Sequence, residues 1–340
     1  MTVIYHEDQA DIDQILPRPV AVIGYGDIGR PSAINMRDAA VTNIVIGDDS
    51  SEGQANAKAD GFRVMSVAEA TRSAEIILVA LAVETMTPVY MTQISPNLAP
   101  QNVLIFISGY NVAFGFIEAP PFVDVGLVAP RTITGAPRSR FSSDGGPFSS
   151  FVAVGQDSTG NAWPVVLAVA LALGALSGGG VEVNLEQEAE LSLFIQQAII
   201  PAFHNLMRTA AALLLKEGYP PEAIFQDLYI GGKFPDFMRN IAQTGIQQTL
   251  NRTTLSTQYA TYSRFDRFNE IKLERLMEIT LDEIRNGDFA QEWNRENTDG
   301  HRRLDRLLKQ HNDSELWDLE QQTLDYLEED FPPLDFNDDM

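Results

Sequence analysis

The segment VIGYGDIG, residues 22–29, sets Gly24, Gly26 and Gly29 between an apolar run and a helix-like stretch. Glycines at that spacing allow a tight turn, let backbone N–H groups approach a pyrophosphate, and point a helix N-terminus at its charge. Alone the spacing is a weak signal, and its context strengthens it. The next apolar run, TNIVIGD, ends in Asp48, and Asp49 stands 20 residues after Gly29, the distance at which an acid reads the adenosine ribose. Candidate cofactor contacts are therefore Gly24, Tyr25, Gly26, Asp27, Ile28 and Gly29 in the turn, and Asp48, Asp49 and Glu52 in the loop DDSSE. Val83 and Ser108, which end the runs EIILVALAV and NVLIFIS, complete the set. A carboxylate at that place accepts from ribose hydroxyls and repels a 2′-phosphate, so the pattern predicts NAD(H) in preference to NADP(H).

A second stretch, EQEAELSLFIQQ at 186–197, has helical spacing, with three carboxylates in its first turn and none in its second. Acids favour helix N-termini, so a solvated helix start is one reading. The other is the wall of an active-site cavity, with Glu190 as its carboxylate. Arg131, after the run VGLVAP, stands where it could bind a carboxylate bidentately or close a structural salt bridge. His204, in IIPAFHNLMRTAA, reads as a core histidine with a hydrogen-bond partner, with a proton relay as the alternative. His6, His301 and His311 lie in charged stretches, read as solvated and form no cluster.

These residues need a scaffold, and the first half of the chain supplies one. Six apolar runs, at 20–26, 42–48, 75–83, 102–108, 125–130 and 150–156, alternate with helical stretches. That alternation predicts an α/β Rossmann-type domain with a parallel sheet covered on both faces, over residues 1–182. From 183 to 330 the pattern is long amphipathic helices, an all-α second domain, and residues 331–340 form an acidic tail. A formal charge of -23 disfavours nucleic acid and anionic membrane surfaces as partners. The absence of cysteine removes disulfides and thiolate metal sites. The N-terminus is acidic, unlike a signal peptide, and WPVVLAVALALGAL is too short for a bilayer span and reads as a buried helix. A cytoplasmic protein is expected.

The wording VAVIGYGDIG, ADGFRVMSVAEA, ISGYNVAFG, VGLVAP, FVAVGQDSTG and KEGYPPE resembles the class I ketol-acid reductoisomerases over nearly the whole chain. The resemblance implies a Rossmann domain, a knotted helical domain, and a homodimer whose active sites are composite. It also implies two magnesium ions held by an Asp and a Glu one helical turn apart. Those positions are Ser192 and Gln196 in this chain, both neutral. The second acid pair falls on Asp227 and Gly231 by one count and on Tyr229 and Lys233 by another, and neither count keeps both acids. The family's substrate-binding serine falls on Thr254, its active-site lysine on Arg131, its histidine on Ser108, and its 2′-phosphate-reading arginine on Asp49. Tyr259 and Tyr262, beside the substrate-binding segment, could donate a proton or pack.

A hydroxyl and an amide do not neutralise divalent ions, so no magnesium is expected and the family's alkyl migration should be lost. Hydride transfer needs only an oriented cofactor and a proton donor, for which Tyr259, Glu190 and His204 are the candidates. Three readings follow. They are a metal-independent NADH-dependent reductase of a C=N or C=O group, a ketol-acid reductoisomerase with displaced ligands, and a non-catalytic NAD-binding scaffold or sensor.

Overall fold

The computed structural model describes residues 2–131, 148–265, 267, 272–312 and 315–327. The acidic tail at 331–340 lies outside them. The described chain divides into two compact units, one ending at Ser192 and the other beginning at Leu193.

Short runs rich in Val, Ile and Leu have the branched side chains that pack well on a pleated surface, and in the first unit they become strands. These are β1 (Ile4–Tyr5), β2 (Val20–Ile23), β3 (Ile44–Gly47), β4 (Arg63–Met65), β5 (Ile76–Val79), β6 (Val103–Phe106), β7 (Asp124–Pro130), β8 (Ser150–Gln156) and β9 (Gly180–Glu182). They form one sheet in the order β1-β9-β8-β7-β6-β5-β2-β3-β4. All six runs read as strands are strands. The other three are two or three residues long, too short to show a period. The sheet is parallel from β4 through β7. The expectation of a wholly parallel sheet needs correcting at two places, since β7 pairs with β8, and β1 with β9, antiparallel. Antiparallel neighbours need no crossover helix.

Every residue of β2, β3, β5 and β6 is buried, as strands covered on both faces must be. One face packs against α1 (Gly29–Asp38) and against a helix at Ala162–Ala172, cut from the run WPVVLAVALALGAL and buried along most of its length. On the other face lie Val67, Ala70, Met86 and Tyr90, from the helices that follow β4 and β5. The chain order reverses at β2, between β5 and β3, and in open α/β sheets the ligand crevice lies outside the carboxyl ends of the strands at such a point.

The second unit is helical, from Ile200–Lys216 to Glu315–Leu327. A small core of Ala211, Ile224 and Phe225, joined by Leu316 and Leu319, fixes its last helix. One continuous helical run, Leu185–Lys216, is long and apolar enough to cross a membrane on length and composition alone, a test that core helices of soluble proteins also pass.

Candidate functional site in the first unit

The turn after β2 takes its shape from its glycines. Gly24 has φ +91°, a left-handed conformation that L side chains rarely adopt, and a Cβ there would lie 2.8 Å from the Ala80 carbonyl oxygen. At Gly29 a Cβ would come within 1.9 Å of the Gly24 oxygen, so α1 can start this close to the turn only on glycine. At Gly26, by contrast, a Cβ would meet nothing within 4 Å, which leaves that backbone open. Ile28 caps α1 without a side-chain bond, so its first N–H groups are not claimed by a capping side chain. Tyr25 is buried. Its hydroxyl donates to Asp60 Oδ2 at 2.8 Å, and burial followed by that bond raises its pKa.

The two aspartates after β3 are committed differently. Asp48 Oδ2 accepts the Tyr25 N–H at 2.7 Å and its Oδ1 accepts Ser50 N–H and O–H, so Asp48 is tied to the glycine turn. Asp49 is exposed and accepts from Gln93 Nε2 at 2.7 Å and, more weakly, from the Val67 N–H at 3.4 Å. Glu52 is exposed in the first turn of the helix Ser51–Ala59.

Further along the same carboxyl edge, beyond β6 and β7, the structure assembles a charged cluster. Arg131 follows β7, with its guanidinium 4.4 Å over the Phe151 ring and its Nη1 donating to Glu188 Oε1 at 3.0 Å and to Ser192 Oγ at 3.1 Å. Glu188, in the helix α2 (Leu185–Phe194), is 3% exposed and also accepts the Gly109 N–H at 2.7 Å and the Ser192 hydroxyl at 2.8 Å. A Cβ at Gly109 would lie 2.7 Å from the Leu185 carbonyl oxygen, so this glycine lets α2 approach the end of β6. Arg131 and Ser192 thus meet around Glu188, with Arg131 in a salt bridge, while Glu190 is only partly buried. The signal for Glu188 is its place four residues before Ser192, on one helix face. Ser108 accepts the Tyr110 N–H at 3.3 Å. Tyr110 is buried, its hydroxyl has no hydrogen-bond partner among the described residues, and burial, then the charge of Glu84, pushes it up to about 12.

The remaining candidates lie in the second unit. Gln196 is exposed, in the π-helical turn Ile195–Ile199 that follows α2. His204 is exposed rather than a core residue, because the apolar face that carries it is open on this chain. Tyr259 is 73% exposed. Thr254 caps the helix Leu255–Tyr262, its hydroxyl accepting the Thr257 N–H at 3.3 Å. Asp227, in another π-helical turn, Gln226–Ile230, accepts from Lys233 Nζ through both oxygens, at 2.9 and 3.1 Å. Tyr229 donates to Glu320, and Gly231 follows the turn as its cap. Among the described residues, no group of three or more His, Cys, Asp or Glu side chains is placed to hold a metal ion.

Comparison with known proteins agrees with this architecture. Residues 14–179 match the family model of the acetohydroxy acid isomeroreductase NADPH-binding domain, and residues 185–328 match that of the ketol-acid reductoisomerase C-terminal domain. An NADH-preferring ketol-acid reductoisomerase from an uncultured archaeon is 26% identical, with a TM-score of 0.86 over 95% of this chain and 98% of that one. A semialdehyde dehydrogenase NAD-binding protein from Cupriavidus necator, solved with calcium and NAD, superposes with a TM-score of 0.61 at 17% identity, over 79% of this chain and 99% of that one. Pyrroline carboxylate reductase from Plasmodium falciparum, with NADP bound, gives 0.50 at 16% identity, over 80% and 98%. The last two likenesses speak to fold alone. With both of its domains matched in order, the chain belongs to the ketol-acid reductoisomerase family and is an NAD(P)-dependent oxidoreductase.

Proposed function

We propose that this family member is an NADH-dependent reductase of a C=N or C=O group in a small molecule, in a specialised-metabolite pathway, working without a metal ion and without the isomerisation step. The observation that carries the reading is the donor set. Ser192 and Gln196 are neutral, Arg131 already holds Ser192 and Glu188, and Asp227 carries Lys233. Magnesium takes anionic oxygens in an octahedral shell. These residues do not fit a pair of divalent ions, and no step here runs through one.

The glycine turn and Asp48 would hold NADH, with Asp49 and Glu52 adding charge that repels a 2′-phosphate. Bound NADH supplies the hydride. Reduction then needs one proton at the nitrogen or oxygen, and Tyr259, Glu190 and His204 are the donors to test. Tyr259 and His204 are exposed on the single chain, which suits residues that complete a site in a homodimer. The small-molecule substrate would be reached in the cytoplasm.

The deciding experiment screens carbonyl compounds and imines for NADH oxidation after exhaustive chelation, beside turnover of acetolactate with magnesium present. Chelator-resistant oxidation of NADH without isomerised product supports the proposal. Micromolar magnesium binding coupled to isomerised acetolactate overturns it. The likeness to an NADH-preferring ketol-acid reductoisomerase favours that second reading, in which the full family reaction survives on displaced ligands. NADH binding without turnover on any compound would point to a scaffold or sensor.

A further inference from the structure

Arg131 is held on three sides. Phe151 lies under the guanidinium plane at 4.4 Å, and Nη1 is fixed to Glu188 at 3.0 Å and Ser192 at 3.1 Å. Glu188 in turn is largely committed to the protein, since its two oxygens receive Gly109 N–H, Ser192 O–H and Arg131. Three donors leave that buried carboxylate one lone pair at most, on Oε2, and its charge is already balanced by Arg131. Among the described residues, the guanidinium is hydrogen-bonded through one nitrogen only. Among the described residues, its Nε and Nη2 donate to nothing, and the Arg131 side chain is 23% exposed. A planar fork with one edge anchored and the other open matches the two oxygens of a carboxylate.

The position in the sheet fits such a ligand. A dinucleotide bound across the switch point puts its adenosine ribose at the acids after β3, and so its reacting half toward β5 and β6. Gly109 follows β6 and Arg131 follows the adjacent β7, on the same edge. We propose that Arg131 is the resident cation of this site. Locked by Glu188, Ser192 and Phe151, it provides the fixed positive charge that metal ions provide elsewhere in the family, and its open edge binds the carboxylate of an anionic carbonyl or imine substrate. This rests on the reading of the chain as a metal-independent reductase and names the substrate class of that reductase.

Oxamate, a small carboxylate with a carbonyl beside it, is the probe. It is titrated into the full-length protein saturated with NADH, followed by calorimetry, with chelator and again with millimolar magnesium. Saturable binding that magnesium does not change is expected. Arg131→Ala should weaken oxamate about 30-fold or more through loss of a bidentate charged pair, with NADH affinity within about twofold of wild type. Arg131→Lys keeps the charge and loses the fork, and should fall between the two, which keeps the test open if the alanine variant does not fold. The proposal is overturned if wild type fails to bind oxamate, if magnesium is required, or if the lysine and alanine variants bind it as wild type does. Failure of the reductase reading is visible separately, as oxamate binding at Arg131 in a protein that oxidises NADH with no carbonyl or imine compound.

Discussion

Asp48 and Asp49 are neighbours in sequence and unequal in surroundings. Asp48 holds the glycine turn through the Tyr25 N–H, while Asp49 is exposed and held by Gln93. Both would face a 2′-phosphate with like charge, and at about 4 Å in a medium between water and protein edge that repulsion gives roughly tenfold or more in favour of NADH. Comparative binding of the two dinucleotides checks this. Asp49→Arg with Glu52→Ser should narrow or reverse the preference, and unchanged selectivity would place the reading of the ribose elsewhere, with Asp48 the next residue to replace. A second residue of this kind is Asp124, at the start of β7. Burial raises its pKa, but the hydroxyls and N–H groups of Ser158 and Thr159 outweigh burial and hold it below the usual carboxylate value. A carboxyl depressed in the folded state contributes stability that is present above its unfolded pKa and lost as pH falls through the folded one. Asp124→Ala should therefore cost about 2–4 kcal/mol at neutral pH and less under acid, read as denaturant midpoints across a pH series.

Elements explain why some of this was legible in the sequence and some was not. Runs such as IVIG and VLIF announce strands because they are uniformly apolar and short. The glycine turn announces itself because Gly24 and Gly29 meet local backbone constraints that other residues would violate. Glu188 did not stand out, since its burial depends on Gly109 and Arg131, which are 79 and 57 residues away in sequence. Nor did the π-helical turns at Ile195–Ile199 and Gln226–Ile230, which change the face presented by Gln196 and Asp227 and which no 3.6-residue period foretells. The close approach of α2 to β6 gives a prediction at this scale. Gly109→Ala would put its Cβ 2.7 Å from the Leu185 carbonyl and 3.2 Å from Glu188 Oε2, backbone and a buried charge that have little room to yield. A cost of about 2–3 kcal/mol is expected from overpacking. Oxamate affinity should fall with it while NADH binding changes less. A variant as stable as wild type, with unchanged oxamate binding, would show that α2 can withdraw without disturbing Arg131.

For the whole molecule, the question is what covers the second unit. Ile195, Ile199, Ile200, Phe203, Leu206 and Leu213 are each more than 40% exposed on one chain, all within a helical run whose most apolar window is 6% buried. Monomeric soluble proteins rarely leave so long an apolar stripe open. A chain with a formal charge of -23 that belongs to this family is better served by a second copy of itself than by lipid, because an anionic bilayer would repel it. A two-fold partner would cover the stripe with the same stripe, and would also bring Phe237 and Ile241, both partly exposed, under cover. Leu250 is already buried in its own chain and contributes to folding instead. Sedimentation or light scattering at micromolar concentration should give a homodimer. Leu206→Glu together with Ile200→Glu should shift the equilibrium toward monomer, because each dimer would then bury four carboxylates against apolar surface. If Tyr259 and His204 complete the site only in the dimer, NADH binding to the first unit should survive this change while reductase turnover is lost. A wild type that stays monomeric, or a monomeric variant with full turnover, would remove the composite site from the mechanism.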